Sequence, residues 1–364
     1  VYHQRTLVLT TSVVNSKDLL SKPLRQERLF YFYHMRFILS SLLASVLLFS
    51  CSSAPELVQV TNQGPAQGST YSISYLAPQG VDYRTEIDSI LKAMDQQMSL
   101  WVEDSEISRL NNGDSVHLST AFARVITLSK LYTELTSGQF DITIAPVIKA
   151  WGFSGGTYNE DVKVDSLLQF VGSSKLALPE TDSLYALPFG FQVDVNAIAQ
   201  GYTVDVIAEF LETKGVNDYM VEVGGEVRCK GENVKNRGWR IGIEKPVEDR
   251  IAGQFQTIIA LDSMSLATSG NYRKFWVDES GQKVVHTIDP ETGQPVISNV
   301  LSASIIASNA TLADALATAC MVAGPNALQL VAQFPDVEAY LIVGNKKGGL
   351  EVQQTEGWSA YEPN

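Results

Sequence analysis

The sequence predicts an α+β fold with antiparallel sheets, and three observations support this class. Segments with the two-residue alternation of strands and segments with helical spacing are mixed along the chain. They do not follow the regular strand–helix repeat of a doubly wound sheet. Several predicted strands also succeed one another directly, which favours hairpins.

The predicted elements follow from these two periods. The clearest helix is residues 119–135, whose apolar positions recur three and four apart before Gly138 ends it. A second helix follows Val193 and Asp194 and ends at Lys214. The other predicted helices are residues 86–98, 311–322 and 326–334. The predicted strands are residues 70–75, 219–223, 239–244, 257–261, 274–277, 283–288, 302–307 and 339–343, with a turn at 278–281.

The N-terminal part is predicted to lie outside the functional domain. Residues 1–34 carry no clean period, so we interpret them as an upstream extension and Met35 as the start. Arg36 and the apolar run 37–49 are typical of a signal peptide, because the run is short for a membrane span. Residues 48–51 (LFSC) resemble a bacterial lipobox, although a buried helix with a spare cysteine is the alternative.

This interpretation predicts a lipoprotein. Residues 35–50 would be the signal peptide, and residues 51–64 would be a lipidated Cys51 followed by a polar tether. Residues 65–364 would form the functional domain. We therefore expect the protein on the periplasmic side of a bacterial membrane, anchored through Cys51.

The charge balance excludes one class of partner. Without residues 1–51 the chain keeps 313 residues, with 21 basic and 38 acidic side chains and a formal charge of −17. Nucleic-acid binding needs a basic surface, so we expect none. A phosphate-bearing ligand would need a metal ion or a helix N-terminus to neutralise it.

Cysteine and histidine are too scarce for a zinc site. Beyond Cys51 the chain has Cys229 and Cys320, which form no CxxC, and whether they pair is left open. His117 and His286 are the two histidines after residue 51, so there is no HExxH motif.

The stretch from His286 to Thr318 carries the strongest chemical signal. It contains HTIDPETGQP, a short apolar strand and the helical segment NATLADALATA. Asp314 and Thr318 are four apart and share one helix face, so both oxygens can point at one cation. Mg2+ prefers such ligands and fills its other positions with water and phosphate oxygens. The segment therefore predicts a Mg2+ site that acts on a phosphate ester or anhydride.

Five other segments are ambiguous one by one. VDVNAIAQGY (193–202) also fits a plain helix cap, SGQFDITIAPVIKAWGF (137–153) a loop with aromatic core anchors, and VEVGGEVRCKG (221–231) a hairpin turn. MSLWVEDSEISRLN (98–111) and SLATSGNYRKFW (265–276) are equally undecided, with Trp101 a core or lid aromatic. A lone His286 is more often structural than catalytic.

In this order and spacing, the segments resemble the FAD:protein FMN transferases, the ApbE-type flavin transferases, from about residue 64 to residue 344. The resemblance implies an α+β fold of two related β-α-β units with FAD held between them. It also implies Mg2+-dependent transfer of FMN from FAD to a threonine hydroxyl of a partner protein, with release of AMP. The partner would be, for example, a subunit of a membrane NADH:quinone or ferredoxin oxidoreductase complex.

The resemblance also assigns residues. Asp314, Thr318 and the backbone carbonyl of Ala197 match metal ligands. The positions that match the surroundings of the flavin, ribose and diphosphate are Gln67, Trp101, Gln139, Phe140, Asp141, Asp194, Gln200, His286 and Thr287. Three positions depart from the family pattern: Gln67 stands where Met is usual, Trp101 where Tyr is frequent, and Glu226 where Asp is common.

Attack on a diphosphate develops charge that a metal ion can stabilise, and Asp314 is the expected anchor for it. His286 is the candidate base for the acceptor hydroxyl, as a hypothesis from its position. Two rival interpretations use the same residues: an FAD pyrophosphatase that gives FMN and AMP, and a flavin-binding lipoprotein without turnover.

Overall fold

The computed structural model describes residues 56–158, 163–180, 183–246, 255–271, 275–277, 281 and 283–363. The strands are β1 (Leu57–Ala66), β2 (Ser69–Pro78), β3 (Val116–His117), β4 (Leu184–Tyr185), β5 (Tyr219–Val223), β6 (Glu226–Lys230), β7 (Trp239–Glu244), β8 (Phe255–Leu261), β9 (Met264–Gly270), β10 (Phe275–Val277), β11 (Lys283–Val285), β12 (Val300–Ala307), β13 (Glu338–Gly344) and β14 (Leu350–Gln354). The α-helices are α1 (Arg84–Met98), α2 (Glu106–Asn111), α3 (Thr120–Leu135), α4 (Ala145–Ala150), α5 (Val164–Leu168), α6 (Ala199–Thr213), α7 (Ala310–Ala323) and α8 (Ala327–Val331).

Eight strands of the described chain form one antiparallel sheet in the order β1-β2-β5-β6-β9-β12-β13-β14. Three two-stranded sheets, β3–β4, β7–β8 and β10–β11, accompany it. Since every pairing among the described strands is antiparallel and helices are mixed with strands, the predicted α+β class is confirmed.

Two helices pack on the middle of this sheet and against each other. Helix α6 contacts β5 and β6, and helix α7 contacts β9 and β12. Most of α7 is buried and it is rich in alanine, which lets its backbone approach its neighbours closely. Because α6 and α7 bear the VDVNAIAQGY and NATLADALATA segments, their contact brings distant parts of the chain together.

The predicted helices and strands agree well with the observed ones. Helix α3 begins after Ser119, whose hydroxyl accepts a hydrogen bond from the Phe122 N–H at 3.2 Å and caps the helix. The last predicted helix is shorter than expected, mainly at its C-terminal end, where the Gln333 and Phe334 N–H groups donate to carbonyls three residues back instead of four. The predicted turn at 278–281 lies, except for Gly281, outside the described residues.

The predicted tether is wrong for residues 57–64, which belong to strand β1 at the edge of the sheet. One face of this strand is open to solvent, so polar side chains alternate with half-buried ones and hide the strand pattern. Its inner face includes Asn62, a buried amide that donates to the Asp82 carboxylate and accepts from the Tyr75 hydroxyl. The extension (1–34), the signal peptide (35–50) and Cys51 lie outside the described residues.

Strands β3, β4, β6, β9 and β14 and the short helices α2, α4 and α5 were not predicted. Strand β9 is rich in small and polar residues, and β14 is an edge strand whose five side chains are all exposed, so neither has a clear apolar face. Cys229 and Cys320 are both free and buried, which answers the open question of their pairing. No helix of the described residues has the length and apolar character needed to cross a membrane.

Candidate functional site

A cavity of about 680 Å³ lies beside the α6–α7 contact and the adjoining sheet. Of the twelve predicted site residues, eleven line it, and Gln67 does not. The predicted residues at the cavity are Trp101, Gln139, Phe140, Asp141, Asp194, Ala197, Gln200, His286, Thr287, Asp314 and Thr318. Segments more than two hundred residues apart in the chain therefore meet in one place.

The first turn of α6 contacts the predicted metal ligand Asp314 through its backbone. The Gly201 N–H donates to Asp314 Oδ2 at 3.1 Å, rather than to the carbonyl four residues before it. That carbonyl belongs to Ala197, and it accepts no hydrogen bond from the described residues. A backbone carbonyl without a donor needs another partner, and Ala197 lines the cavity.

The Asp314 carboxylate sits in an environment that disfavours its charge. Burial raises its pKa to about 7, the Gly201 hydrogen bond opposes the rise, and the nearby Asp205 carboxylate adds to it. A divalent cation would reverse this balance, because it favours the charged carboxylate.

Asp314, Thr318 and the Ala197 carbonyl fit a Mg2+ ion. Thr318 lies one turn after Asp314 on α7, and its hydroxyl is 3.2 Å from the Ser269 hydroxyl. The described residues contain no group of three His, Cys, Asp or Glu side chains that could hold a metal. One carboxylate with neutral oxygens is nevertheless the usual protein share of a Mg2+ site, since water and phosphate supply the rest.

Gly201→Ala should damage this site. An added Cβ would lie 2.3 Å from the Ala310 carbonyl oxygen and 2.8 Å from Asp314 Cβ, so α6 and α7 would have to separate. We expect a less stable protein, by roughly 1–3 kcal/mol, with weaker metal binding. Thermal unfolding and Mn2+ titration measure the two effects. The control Gly215→Ala alters a glycine of positive φ with open space around it, so it should strain the backbone and leave metal binding unchanged.

The two aspartates before α6 have different environments. Asp141 accepts from the Thr143 N–H and hydroxyl and from the Ser173 N–H and hydroxyl, so its carboxylate organises the surrounding loops. Asp194 accepts from the Asn196 N–H at 2.9 Å and from the Ser154 hydroxyl at 2.6 Å. Asp194 therefore keeps more hydrogen-bonding capacity for a ligand than Asp141 does.

The two predicted aromatic residues also differ. The Phe140 side chain is 2% exposed and meets Tyr132 edge to face, so its ring is a core anchor even though the residue borders the cavity. Trp101 is 67% exposed and borders the cavity as well, which excludes the core alternative. An exposed indole at a cavity edge is suited to cover a planar ligand.

The amide of Gln200 packs over the Gly224–Gly225 turn. Gly224 has a φ of +70°, and a Cβ there would lie 2.2 Å from Gln200 Nε2, so only glycine fits under this side chain. Gln67 is the exception among the predicted residues. Its Nε2 donates to the Thr203 hydroxyl at 2.8 Å, and its buried Oε1 has no hydrogen-bond partner in the described part of the chain.

His286 and Thr287 follow directly after β11, which ends earlier than predicted. Both line the cavity, and the His286 ring meets Phe153 edge to face at 6.3 Å between centroids. The Thr287 hydroxyl donates to Asn271 Oδ1 at 2.6 Å, and the Thr287 carbonyl accepts from the Val296 N–H. These bonds hold the segment that bears His286 against the cavity.

Several lining residues were missed as site residues. They include Glu222, Glu244, Thr268 and Ser269, together with Ser154. Burial raises the pKa of Glu222, while hydrogen bonds from the backbone of Gly225 and Ser72 oppose the rise. In the sequence, most of these residues are simply polar side chains on a strand. That pattern is the same whether the side chain faces solvent or a cavity, so it does not identify a site residue.

Comparisons with known proteins point to one protein family. Residues 67–341 match the model of the ApbE family. A FAD:protein FMN transferase of Vibrio cholerae is 34% identical over 328 residues, which cover 87% of this chain and 96% of that protein. A FAD:protein FMN transferase of Haemophilus influenzae is 32% identical, over 86% of this chain and 95% of that protein.

Solved structures give the same result. The flavin transferase ApbE of Vibrio cholerae superposes with a TM-score of 0.72 at 32% identity, over 84% of this chain and all of that chain. The apo form of the Pseudomonas stutzeri flavinyl transferase ApbE has a TM-score of 0.74 at 28% identity, over 85% of this chain and 98% of that chain.

Proposed function

Because the chain belongs to the ApbE family, we propose that it transfers FMN from FAD to a threonine hydroxyl of a partner protein and releases AMP. One observation carries the proposal. At the cavity, the Gly201 N–H donates to Asp314, the Ala197 carbonyl accepts no hydrogen bond from the described residues, and α7 also presents Thr318. This oxygen set suits Mg2+ beside a diphosphate.

The reaction exchanges one P–O bond for another. The acceptor oxygen bonds to the FMN phosphorus, the bond to the bridging oxygen breaks, and AMP leaves with that oxygen. Asp314, Thr318 and the Ala197 carbonyl would hold Mg2+, which would supply charge stabilisation on the diphosphate oxygens. His286 is the candidate to take the proton of the acceptor hydroxyl.

The other lining residues would position the flavin and keep water out. Trp101, as the exposed aromatic of the cavity edge, would cover the bound ligand. Gln200 and Asp194 would offer an amide and a carboxylate for polar groups of FAD. Thr287 would fix His286 through its bond to Asn271.

The test is AMP release from FAD and Mg2+, with and without a candidate acceptor. A transferase should release AMP in step with the appearance of flavin on the acceptor, and slowly without it. Fast AMP release without an acceptor would instead indicate a pyrophosphatase. Tight FAD binding with no AMP in either case would indicate a flavin-binding protein.

We further expect the mature protein to be lipidated on Cys51 and held on the periplasmic side of the membrane, from the signal-like run before Cys51. Cys51→Ser should release the protein from the membrane fraction or mislocalise it, because the residue that would carry the lipid is lost. Fractionation and the mass of the N-terminal peptide check this. A membrane-bound variant with its N-terminus uncleaved would indicate a plain transmembrane anchor instead.

A further inference from the structure

The Asp205 carboxylate joins three parts of the protein next to the candidate metal site. It lies on α6 and is 6% exposed. It accepts from the backbone N–H groups of Ala310 (3.0 Å) and Thr311 (2.8 Å) and from the Thr311 hydroxyl. It also accepts from Arg228 Nη1 of β6 at 2.9 Å. One side chain of α6 thus binds the first turn of α7 and a strand of the sheet.

These bonds repeat along the helix pair with a step of four residues. The Asp205 carboxylate accepts a hydrogen bond from the Ala310 N–H. Four residues away on each helix, the Gly201 N–H donates to the Asp314 carboxylate. Residues four apart share a helix face, so the two contacts set how far α6 is shifted along α7. Going from Gly201 to Asp205 along α6 corresponds to going from Asp314 back to Ala310 along α7, so the two helices are antiparallel.

The same step leads to the candidate metal ligands. Four residues before Gly201 is Ala197, and four residues after Asp314 is Thr318, and both line the cavity. Asp205 is itself buried and receives four hydrogen bonds, so its carboxylate is held in one position relative to α7 and β6.

We propose that Asp205, anchored by Arg228, is a positioning residue that sets the register of α6 against α7 and thereby brings the Ala197 carbonyl, Asp314 and Thr318 to one cation. Asp205 does not line the cavity and would not be a ligand of the cation. The inference rests on the proposed function for the identity of the site. It adds that metal affinity depends on a carboxylate one helical turn away from the ligands.

A second ion pair provides a matched control. Glu212, also on α6, pairs with Lys230, also on β6, at 3.1 Å. It joins the same helix and strand, but α7 takes no part in its hydrogen bonds, which come from Lys230 and the Tyr219 hydroxyl. Lys230→Met should therefore remove a link of the same kind without changing the helix register.

The experiment is Mn2+ titration followed by electron paramagnetic resonance, with saturating FAD and no acceptor. We expect Asp205→Asn to weaken Mn2+ binding about 10-fold, because a shift of α6 along α7 would move the ligand oxygens apart. Lys230→Met should stay within about twofold of wild type, even where its unfolding temperature falls. An Asp205→Asn protein that binds Mn2+ as wild type does would overturn the proposal.

Arg228→Gln separates position from charge. It leaves Asp205 without its cation, so charge alone would tighten Mn2+ binding, whereas loss of the anchor should weaken it. Tighter binding would therefore contradict the positioning role. If Asp205→Asn does not fold, Thr311→Val is the alternative variant, because it removes one hydrogen bond to Asp205. Mn2+ binding that is about threefold weaker would support the proposal, and unchanged Mn2+ binding would reject it. Mn2+ binding needs no acceptor, so failure of wild-type transfer would count against the proposed function and not against this test.

Discussion

Replacing Asp314 by alanine should lower the rate of FMN transfer by at least ~10²-fold, the scale seen when a preorganised charge-stabilising group is lost. Asp314 is the single carboxylate among the three oxygen ligands inferred at the cavity, so neither of the other two ligands can supply its charge. Thr318→Val should cost less, because water can replace a neutral ligand. Acceptor flavinylation over a Mg2+ series measures both. Undiminished activity of Asp314→Ala in EDTA would remove the basis for the metal assignment.

Replacing Asp314 should lower activity but raise the stability of the metal-free protein above neutral pH. A carboxyl whose pKa is raised by folding destabilises the folded state as pH rises through the window between its unfolded and folded values, here from about 3.8 to about 7. Metal-free Asp314→Asn should therefore unfold at a higher temperature than the wild type at pH 8, by about 2 °C or more, and at a similar temperature near pH 3.5. Mg2+ should reduce this difference.

His286→Ala should slow FMN transfer by ~10² to 10⁴-fold, the usual cost of removing a general base, and leave FAD affinity nearly unchanged. The expectation follows from its proposed contact with the acceptor hydroxyl rather than the flavin. Histidine is the side chain that ordinarily changes charge near neutrality, so the variant should also lose the rise of rate with pH in that range. Flavin fluorescence measures affinity, and flavinylation in a gel under ultraviolet light measures transfer across pH.

His117 is the matched control for His286. It is exposed on β3 and does not border the cavity, so His117→Ala should transfer FMN at the wild-type rate. If His286→Ala loses FAD affinity in proportion to activity, His286 binds the flavin and the base lies elsewhere. Asp194 would then be the next candidate, since the Asp141 carboxylate is already bonded to Thr143 and Ser173.

The sequence was sufficient for those parts of the fold and site that depend on local spacing. Helix α3 and the Asp314/Thr318 face could be predicted because four-residue spacing determines which side chains share a helix face. Strand β1 could not, because an edge strand exposes polar residues and its two buried residues, Asn62 and Ala66, are not large apolar side chains.

What escaped prediction depends on contacts between distant segments. Nothing near Asp141 indicates that Ser173, 32 residues later, binds its carboxylate. The bond from Gly201 to Asp314 spans 113 residues and depends on how two helices are shifted against each other. For the same reason Asp205 looks like any polar helical residue in the sequence, and its bonds to α7 become visible only in the fold.

The most direct test of Mg2+-dependent FMN transfer is the intact mass of an acceptor protein after incubation with this protein, FAD and Mg2+. We predict that the acceptor gains the mass of one FMN, located on a threonine, with one AMP released per modified acceptor, and that Asp314→Ala or EDTA prevents both. Release of AMP and free FMN with the acceptor mass unchanged, across candidate periplasmic redox subunits, would contradict the account.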